Sequence, residues 1–384
     1  MLLCPTHEAL KQLKAKIQGQ FEFRTLHSAL GIAPQITEEG LAFEQLALPN
    51  IWDHIDLAIV DECSMVSEEI LDILMRLNKK ILFVGHNSQL PPVLKEKSVF
   101  DECVSPVFSQ GFPTVTLKIP MRNQGELWQF NNKLEEMIYN KEKLVPNTFN
   151  INSKGLQEYL HSDGITGKLI EGSLKIALWS NAGVEEYNGI ARQLIFGDAS
   201  KDKRYLVGDR VVLTTPTISI NGLERFTDAS LTKAATSKFD TIYSNTQGTV
   251  LECIEETLMF NKKLPLDVVR LKLKLDTGDT RYVYELKNPA QAVEIKNYYM
   301  HRAYAMKTLT AKEKAFKLIY FVLSLFTRFM HSYAMTSHRL QGSSIDSVIV
   351  IYRDIQKNQN LIEQKKCMYV ACSRAMNNLM IYRG

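Results

Sequence analysis

Residues Leu57 to Met65, LAIVDECSM, place an apolar run directly ahead of Asp61 and Glu62. Such a run is the pattern of a parallel strand covered on both faces. The ligands of an open α/β sheet lie at the carboxyl ends of its strands. Two carboxylates at that point can divide the work of nucleoside triphosphate hydrolysis, Asp61 holding Mg²⁺ through water and Glu62 orienting and deprotonating the attacking water. A second run, ILFVGHNSQLPPV over Ile81–Val93, ends in a polar loop carrying Gln89. Its amide can hydrogen-bond a γ-phosphate and report its loss. Taken singly, a solvated helix cap explains the carboxylates as well as a nucleotide site does, and a proline-rich turn explains Gln89 better. No G-x-x-x-x-G-K-(S/T) phosphate loop occurs in the 384 residues.

These strands need a scaffold, and the chain supplies an α/β pattern for one. Met1–Cys4, Ala58–Val60, Ile81–Val84 and Thr114–Leu117 read as strands, with helices over Glu8–Gln18 and Glu68–Leu77 between them. Thr37–Pro49 reads as a small subdomain or hairpin inserted in this first sheet. A second α/β unit opens with a strand at Leu174–Leu178 and a helix over Val184–Ile195, and resumes at Ser347–Tyr352 and Leu379–Tyr382. Between its parts lie β-rich segments (RVVLTT, GTVLECI, VVRLKLKL, RYVYEL) separated by turn signals, the texture of a small antiparallel barrel. Asn288–Phe326 reads as a Lys-rich helical arm. The expected organisation is a first lobe over 1–145, with an insertion at 31–52. A second lobe is built from 146–205 and 331–384, and an inserted β domain with its arm spans 206–330.

Composition narrows the classes. The chain is 45% apolar and 23% charged, with a net charge of +4 too mild to demand a polyanion partner. Six scattered cysteines without C-x-x-C spacing argue against zinc and disulfide frameworks and fit a reducing interior. Ala315–Phe329 is the most apolar segment, yet Lys317 and Arg328 interrupt it and it is too short to span a bilayer. Met1 is followed by no basic region or cleavage site of a signal peptide. The expectation is a cytoplasmic protein without membrane attachment.

The two loops at Asp61 and Gln89 resemble motifs II and III of superfamily 1 helicases, and further matches follow in order. Pro5-Thr6-His7 resembles motif Ia and Thr25-Leu26-His27-Ser28 motif Ib. Arg122 in KIPMRNQ resembles motif IV. Ser180-Asn181, with Asn188 downstream, resembles the opening of the second motor lobe. Thr336-Ser337-His338-Arg339-Leu340-Gln341-Gly342 resembles motif V, and Tyr369 to Ala375 motif VI. The TLHS and T-x-H-x-x-Q-G forms are similar to the 1B branch, the RecD-like and Dda-like group. This resemblance spans nearly the whole chain. It implies two RecA-like lobes of α/β fold, the first incomplete at its N-terminal side, with an SH3-like inserted domain and a tower-like arm. The 31–52 insertion takes the place of the domain that serves the group as a duplex-splitting pin, Phe43 or its neighbours forming the wedge.

The implied activity is ATP-dependent translocation on single-stranded DNA, 5′ to 3′, by a monomer in a bacterial or phage-infected cell, with replication or recombination proteins as partners. ATP and Mg²⁺ would sit among Asp61, Glu62, Gly85, Gln89, Arg122, Gln341, Gly342 and Arg374. The arginines suit phosphate because they stay charged and offer a planar fork of donors. Single-stranded DNA would meet Thr6, His7, Thr25, His27, Ser180, Asn181, Thr336 and His338, small donors and imidazoles suited to phosphate contact and stacking. Each histidine alone reads as a satisfied core or loop residue, and Phe43, Trp52, Trp128 and Trp179 as core aromatics.

Three departures qualify the resemblance. Motif Ia lies within a few residues of Met1, without the strand, phosphate loop and helix that precede it in the group. The lost lysine, hydroxyl and amide cradle leave three accounts: a start placed too late, a missing piece supplied by another polypeptide, or lost ATPase activity. A sheet lacking that strand would expose the edges of its neighbours. His86 stands where motif III usually carries Asp, and Arg339-Leu340 where motif V more often has Lys and a small residue. A non-enzymatic single-strand-binding module and an RNA-directed motor are the competing readings.

Overall fold

The computed structural model describes the chain except residues 38–39, 46, 93–103, 120–124, 141–149, 152, 163, 236–240, 306–308 and 384. It divides into two compact units, one of Met1–Gln35, Ala42–Ile195 and Tyr333–Gly384, the other of Ile36–Leu41 and Phe196–Ser332. Strand β1 (Leu2–Cys4) leads into helix α1 (His7–Lys16), and β2 (Phe23–Thr25) into α2 (Leu26–Ala29). A two-stranded sheet of β3 (Ile32–Thr37) and β4 (Gly40–Gln45) follows, the hairpin expected near this position. Then come β5 (Leu57–Val60), α3 (Glu68–Arg76), β6 (Lys80–Phe83) and α4 (Gly125–Glu136). The first sheet has the order β2-β1-β5-β6, and every pairing is parallel.

The chain continues through β7 (Asn150–Ile151), α5 (Ser153–Leu160), α6 (Ile165–Glu171), β8 (Leu174–Leu178) and α7 (Asn181–Phe196). The second unit then begins with α8 (Ala199–Asp202), β9 (Arg210–Leu213), β10 (Thr217–Ile218), α9 (Asp228–Ala234) and β11 (Thr241–Ile242). Its long hairpin is β12 (Gln247–Phe260) with β13 (Leu264–Leu275), followed by β14 (Thr280–Leu286), α10 (Ala290–Tyr304), α11 (Leu309–Leu323) and β15 (Phe329–His331). Five of these strands form an antiparallel sheet, β14-β13-β12-β9-β15. Its core is stitched by polar groups that would otherwise be costly to bury. The Tyr205 hydroxyl donates to Glu285 (2.6 Å), and the buried Arg210 forks onto Asp276 (2.6 and 2.7 Å).

The last stretch returns to the first unit with β16 (Ala334–Thr336), α12 (Ser337–Leu340), β17 (Ile345–Ile351), α13 (Tyr352–Ile355), α14 (Leu361–Ser373) and β18 (Ala375–Tyr382). These strands complete a second parallel sheet, β16-β8-β17-β18-β7. The first unit is therefore α/β with two parallel sheets flanked by helices, as RecA-like lobes require. Among the described residues no helix is long and apolar enough to cross a membrane.

The first sheet is covered unequally. In register across parallel strands, Leu3, Val60 and Phe83 share one face, and Leu2, Ile59 and Leu82 the other. The first face packs into a core with Leu26, Leu30, Trp52, Leu71 and Leu74. Trp52 is buried there with its indole N–H on Ala29 O (2.6 Å), so it is a core residue. On the other face Leu57, Leu82 and Val84 remain 44%, 51% and 41% exposed. The expected strand at Thr114–Leu117 is absent. Residues 111–118 carry no secondary structure, and Val115, Leu117 and Ile119 are exposed. Their alternation is that of a strand, but a strand forms only against a neighbour, and among the described residues none pairs with it.

Strand β6 ends the sheet. The Val84 N–H and C=O both turn inward, to Val60 O (2.8 Å) and Cys63 N (2.9 Å). By alternation the N–H groups of Ile81 and Phe83 point outward. Hydrogen exchange should therefore be on the order of 100-fold faster at Ile81 and Phe83 than at Ile59 and Val60 in the central β5. Equal protection, read residue by residue, would mean that the β6 edge is paired.

Candidate nucleotide and nucleic-acid site

Because both sheets are parallel, their functional turns gather at the carboxyl ends of the strands. Asp61 follows β5 with its N–H on Leu3 O (2.8 Å), and its Oδ1 accepts the Glu62 N–H (2.9 Å). Glu62 adopts φ 53° and ψ 43°, a left-handed conformation uncommon for a side chain of this size and characteristic of functional turns. The Cys63 N–H then donates to Val84 O (2.9 Å), which draws the β6 turn against the β5 turn. Gly85 sits at that contact. A Cβ there would come within 2.7 Å of Cys63 Sγ and 2.9 Å of Cys63 N. Expected as a cofactor contact, Gly85 is required for packing of the two turns.

The surroundings of the carboxylates are electrostatically marked. Burial, and next the charges of Asp61 and Glu62, push the Cys4 and Cys63 thiols up to about 12. Both are inert neutral thiols at physiological pH. The hard oxygens of Asp61 and Glu62 suit Mg²⁺, and Asp61 Oδ2 is not used by the Oδ1 turn contact. The phosphate contacts that would complete such a site have no counterpart in these 384 residues.

A residue unmarked in the sequence reading joins the motifs. Ser64, 1% exposed, donates its hydroxyl to Gln89 Oε1 (3.2 Å), while Gln341 Nε2 donates to Ser64 Oγ (3.2 Å) and Gln89 Oε1 (3.3 Å). Three side chains from the β5 turn, the β6 loop and the end of α12 thus share one hydrogen-bonded junction. Gly342 follows at φ 83°, a conformation that asks for glycine. Arg374 caps α14 and is buried, with Nε on Val370 O (3.1 Å), Nη2 on Ser373 Oγ (3.1 Å) and Nη1 on Ser343 O (3.4 Å). Arg122 lies outside the described residues.

His86 answers the missing aspartate of motif III. Its Nδ1 accepts the Ser88 N–H (3.2 Å), so the neutral ring carries its proton on Nε2, which faces Glu135 Oε1 (3.2 Å) on α4. The Tyr369 hydroxyl on α14 reaches the other oxygen of Glu135 (3.4 Å), and its ring lies 6.0 Å from that of His86. The His86 hydrogen bond holds the Glu135 carboxyl below the usual range, burial opposing it. The negative charge lost at position 86 is supplied one side chain farther out. Lys366, also on α14, donates to Asn87 O.

The DNA-directed candidates share a construction. Thr6, Thr25 and Thr336 are the N-caps of α1, α2 and α12, their hydroxyl oxygens accepting N–H groups of Ala9 (3.2 Å), Ser28 (3.3 Å) and Arg339 (3.3 Å). The hydroxyl hydrogen of each is left to donate elsewhere. Ser180 differs: its hydroxyl donates to Asp354 Oδ1 (2.6 Å) and accepts the Gly183 N–H (3.0 Å), so it serves the fold of the loop. Asp354 also takes the N–H groups of Trp179 (2.9 Å) and Ser180 (2.8 Å). These hydrogen bonds outweigh burial and hold it below the usual carboxylate range. Asn181 is exposed on the first turn of α7. Asn188 is buried, clasping β16 through Ala334 O (3.1 Å) and the N–H groups of Tyr333 (3.0 Å) and Ala334 (2.9 Å). His338 lies against Glu363 (3.5 Å).

Burial, then Lys14 and His27, push His7 down to about 4, and burial lowers His27. Both are neutral at physiological pH and offer hydrogen bonds and ring faces, not charge. In the unfolded chain His7 takes a proton near 6.5, so the stability it contributes is complete above about 6.5 and falls as the pH drops to about 4. Replacing His7 with Gln should flatten the pH dependence of the thermal midpoint in that window. An unchanged slope would remove His7 as its source.

Comparisons with known proteins bear on both halves. A family profile described as an AAA domain matches residues 1–95, and one described as a viral superfamily 1 RNA helicase core domain matches residues 280–383. An uncharacterised protein of Acanthamoeba polyphaga mimivirus is 25% identical over 98% of this chain and 87% of its own length. The ATP-dependent DNA helicase dda of Enterobacteria phage T4 is 24% identical over 94% and 84%. The ATP-dependent DNA helicase Pif1 of Campylobacter jejuni is 27% identical over 87% and 71%. With the residues of motifs Ia, Ib, II, III and V at the strand ends of parallel sheets, these likenesses support a Dda/Pif1-like helicase of superfamily 1B.

Proposed function

We propose that this chain is the motor of an ATP-dependent DNA helicase that moves 5′ to 3′ along single-stranded DNA. The junction of Ser64, Gln89 and Gln341 carries the reading, because it joins the loops that would sense the γ-phosphate in both lobes. Asp61 would hold Mg²⁺ through water, and Glu62 would orient and deprotonate the attacking water. Gln89 and Gln341 would contact the γ-phosphate, with Arg374 and Arg122 supplying positive charge once the lobes close on ATP. DNA would run past Thr6, Thr25 and Thr336, whose hydroxyl hydrogens serve a phosphate of any sequence. The neutral rings of His7 and His27 would meet sugars or bases. The antiparallel unit takes the part of the SH3-like inserted domain, with α10 and α11 as its arm.

The open β6 edge and the bare face beside it bear on how the nucleotide site is completed. They fit one further strand and one covering helix, with the turn between them at the carboxyl ends, beside Asp61 and Glu62. A glycine-rich turn with lysine in that place supplies the phosphate cradle.

The absence of that loop from these 384 residues favours a second reading, a single-strand-binding module without hydrolysis. It predicts salt-sensitive oligonucleotide binding indifferent to ATP and Mg²⁺. The two separate in one experiment. A strand–phosphate loop–helix unit is fused ahead of Met1, and ATPase, unwinding and oligonucleotide binding are measured with and without Glu62→Gln. The fused protein should hydrolyse ATP and unwind a tailed duplex. Glu62→Gln should lower turnover on the order of 100-fold or more while oligonucleotide affinity is kept. Undiminished turnover in that variant would sink the assignment of Glu62. Competition between DNA and RNA oligonucleotides decides the nucleic acid.

A further inference from the structure

One cluster of metal-ligating side chains stands apart from the nucleotide site. Among the described residues, His338, Glu363 and Cys367 bring an imidazole nitrogen, a carboxylate oxygen and a thiol sulfur within 4.8 Å of one another. His338 comes from α12. Glu363 and Cys367 are one turn apart on α14, so their side chains share the face turned toward α12. Glu363 and Cys367 are buried, and the His338 side chain is 25% exposed.

The His338–Glu363 separation is compatible with two ligands of one metal ion. His338 Nε2 lies 3.5 Å from Glu363 Oε1, at the outer limit of a hydrogen bond. Two ligands on a tetrahedral Zn²⁺, each about 2.0–2.1 Å from the ion, stand about 3.3 Å apart. Sulfur, at about 2.3 Å from the ion, stands slightly farther from both. One nitrogen, one oxygen and one sulfur donor form a borderline-soft set that favours zinc over Mg²⁺. The partial exposure of His338 leaves a side from which water completes four-coordination. The charges close as well, since a carboxylate and a thiolate neutralise a divalent ion in a site where unpaired charge is costly. Glu363 also lies in the first turn of α14, where the helix end favours negative charge.

We propose that His338, Glu363 and Cys367 form a zinc-binding site that staples α12 to α14. On binding, Zn²⁺ forms bonds to His338 Nε2, a Glu363 oxygen and Cys367 Sγ. The thiol S–H breaks and its proton passes to solvent, one proton per metal ion. Helix α12 leads to Gln341 and α14 ends at Arg374, so the ion ties together the two helices that carry these side chains. It also occupies His338. On the DNA reading proposed above, zinc is therefore an inhibitor of strand binding, and this last step alone rests on that reading.

Cobalt serves as the spectroscopic probe. Co²⁺ titrated into the reduced full chain should give a thiolate-to-cobalt charge-transfer band and the strong visible bands of four-coordinate cobalt at one equivalent, bleached by Zn²⁺. Cys367→Ser should lose the charge-transfer band. Glu363→Gln, which keeps the thiol, should retain it with affinity weakened more than about tenfold. Circular dichroism of each variant establishes that it is folded. An absent band in the wild type, or an equal band in folded Cys367→Ser, overturns the site. Binding of a fluorescent single-stranded oligonucleotide, measured with and without Zn²⁺, should weaken in the wild type and not in Cys367→Ser. A cobalt band with unchanged oligonucleotide binding keeps the metal site and overturns the inhibition.

Discussion

The parallel direction of the strands is the constraint on which the first unit depends. Antiparallel strands would scatter their loops to both ends of a sheet. Parallel strands deliver Cys4, Thr25, Val60 and Phe83 at one end of the first sheet, and Leu178 and Thr336 at one end of the second. Each is followed directly by a turn that bears a candidate site residue. The turns are stiffened by a repeated device, a threonine or serine hydroxyl that accepts an N–H three residues on. Such a cap is worth about 1 kcal/mol. Its larger effect is positional, because it fixes the direction in which a helix leaves its strand. Three of these capping hydroxyls keep a hydrogen for an outside acceptor, and Ser180 gives its own to Asp354.

Charge is distributed with equal economy. Burial, and next the negative potential that Asp61 and Glu62 concentrate at the end of β5, raises both neighbouring thiols. The strand-end histidines of the first lobe are held neutral by burial, which, on the DNA reading proposed above, suits a surface that must release a polyanion as readily as it binds one. The substitution of His for Asp at position 86 fits the same pattern. The imidazole hands the role of anion to Glu135 and so moves the charge onto α4, within reach of Tyr369.

The sequence disclosed what depends on local chemistry. The strand that ends at Asp61 and Glu62 was legible because a short apolar run ahead of polar residues reads as a covered parallel strand, and its neighbour at Lys80–Phe83 follows from the same pattern. The hairpin was legible in place and imprecise at its start, which lies at Ile32. Ser64, Glu135 and Asp354 were not legible. Each is an ordinary polar residue whose role is set by partners as far as 277 positions away, and no local spacing encodes such a meeting. The packing role of Gly85 was hidden for the related reason that its lack of a side chain matters against Cys63. Thr114–Leu117 failed in the opposite sense. Its alternation is a true strand pattern, but pairing is a property of two strands, and among the described residues neither β6 on its outer side nor this segment has a neighbour that pairs with it.

The short loop from His86 to Gln89 is the point at which the motifs become one mechanism. At its near end His86 leans on Glu135 and Tyr369, and Asn87 O receives Lys366. At its far end Gln89 shares Ser64 with Gln341. The loop itself is held by the His86 O to Gln89 N turn (3.1 Å) and by Ser88, which is buried. Each contact is a single polar bond of about 1 kcal/mol net, weak enough to exchange for a phosphate oxygen. Together they bridge α14, α12 and both strand-end turns of the first sheet. On the function proposed above, exchange of these contacts for a ligand's would tip the loop into another arrangement, which is what coupling a nucleotide to movement along a strand demands.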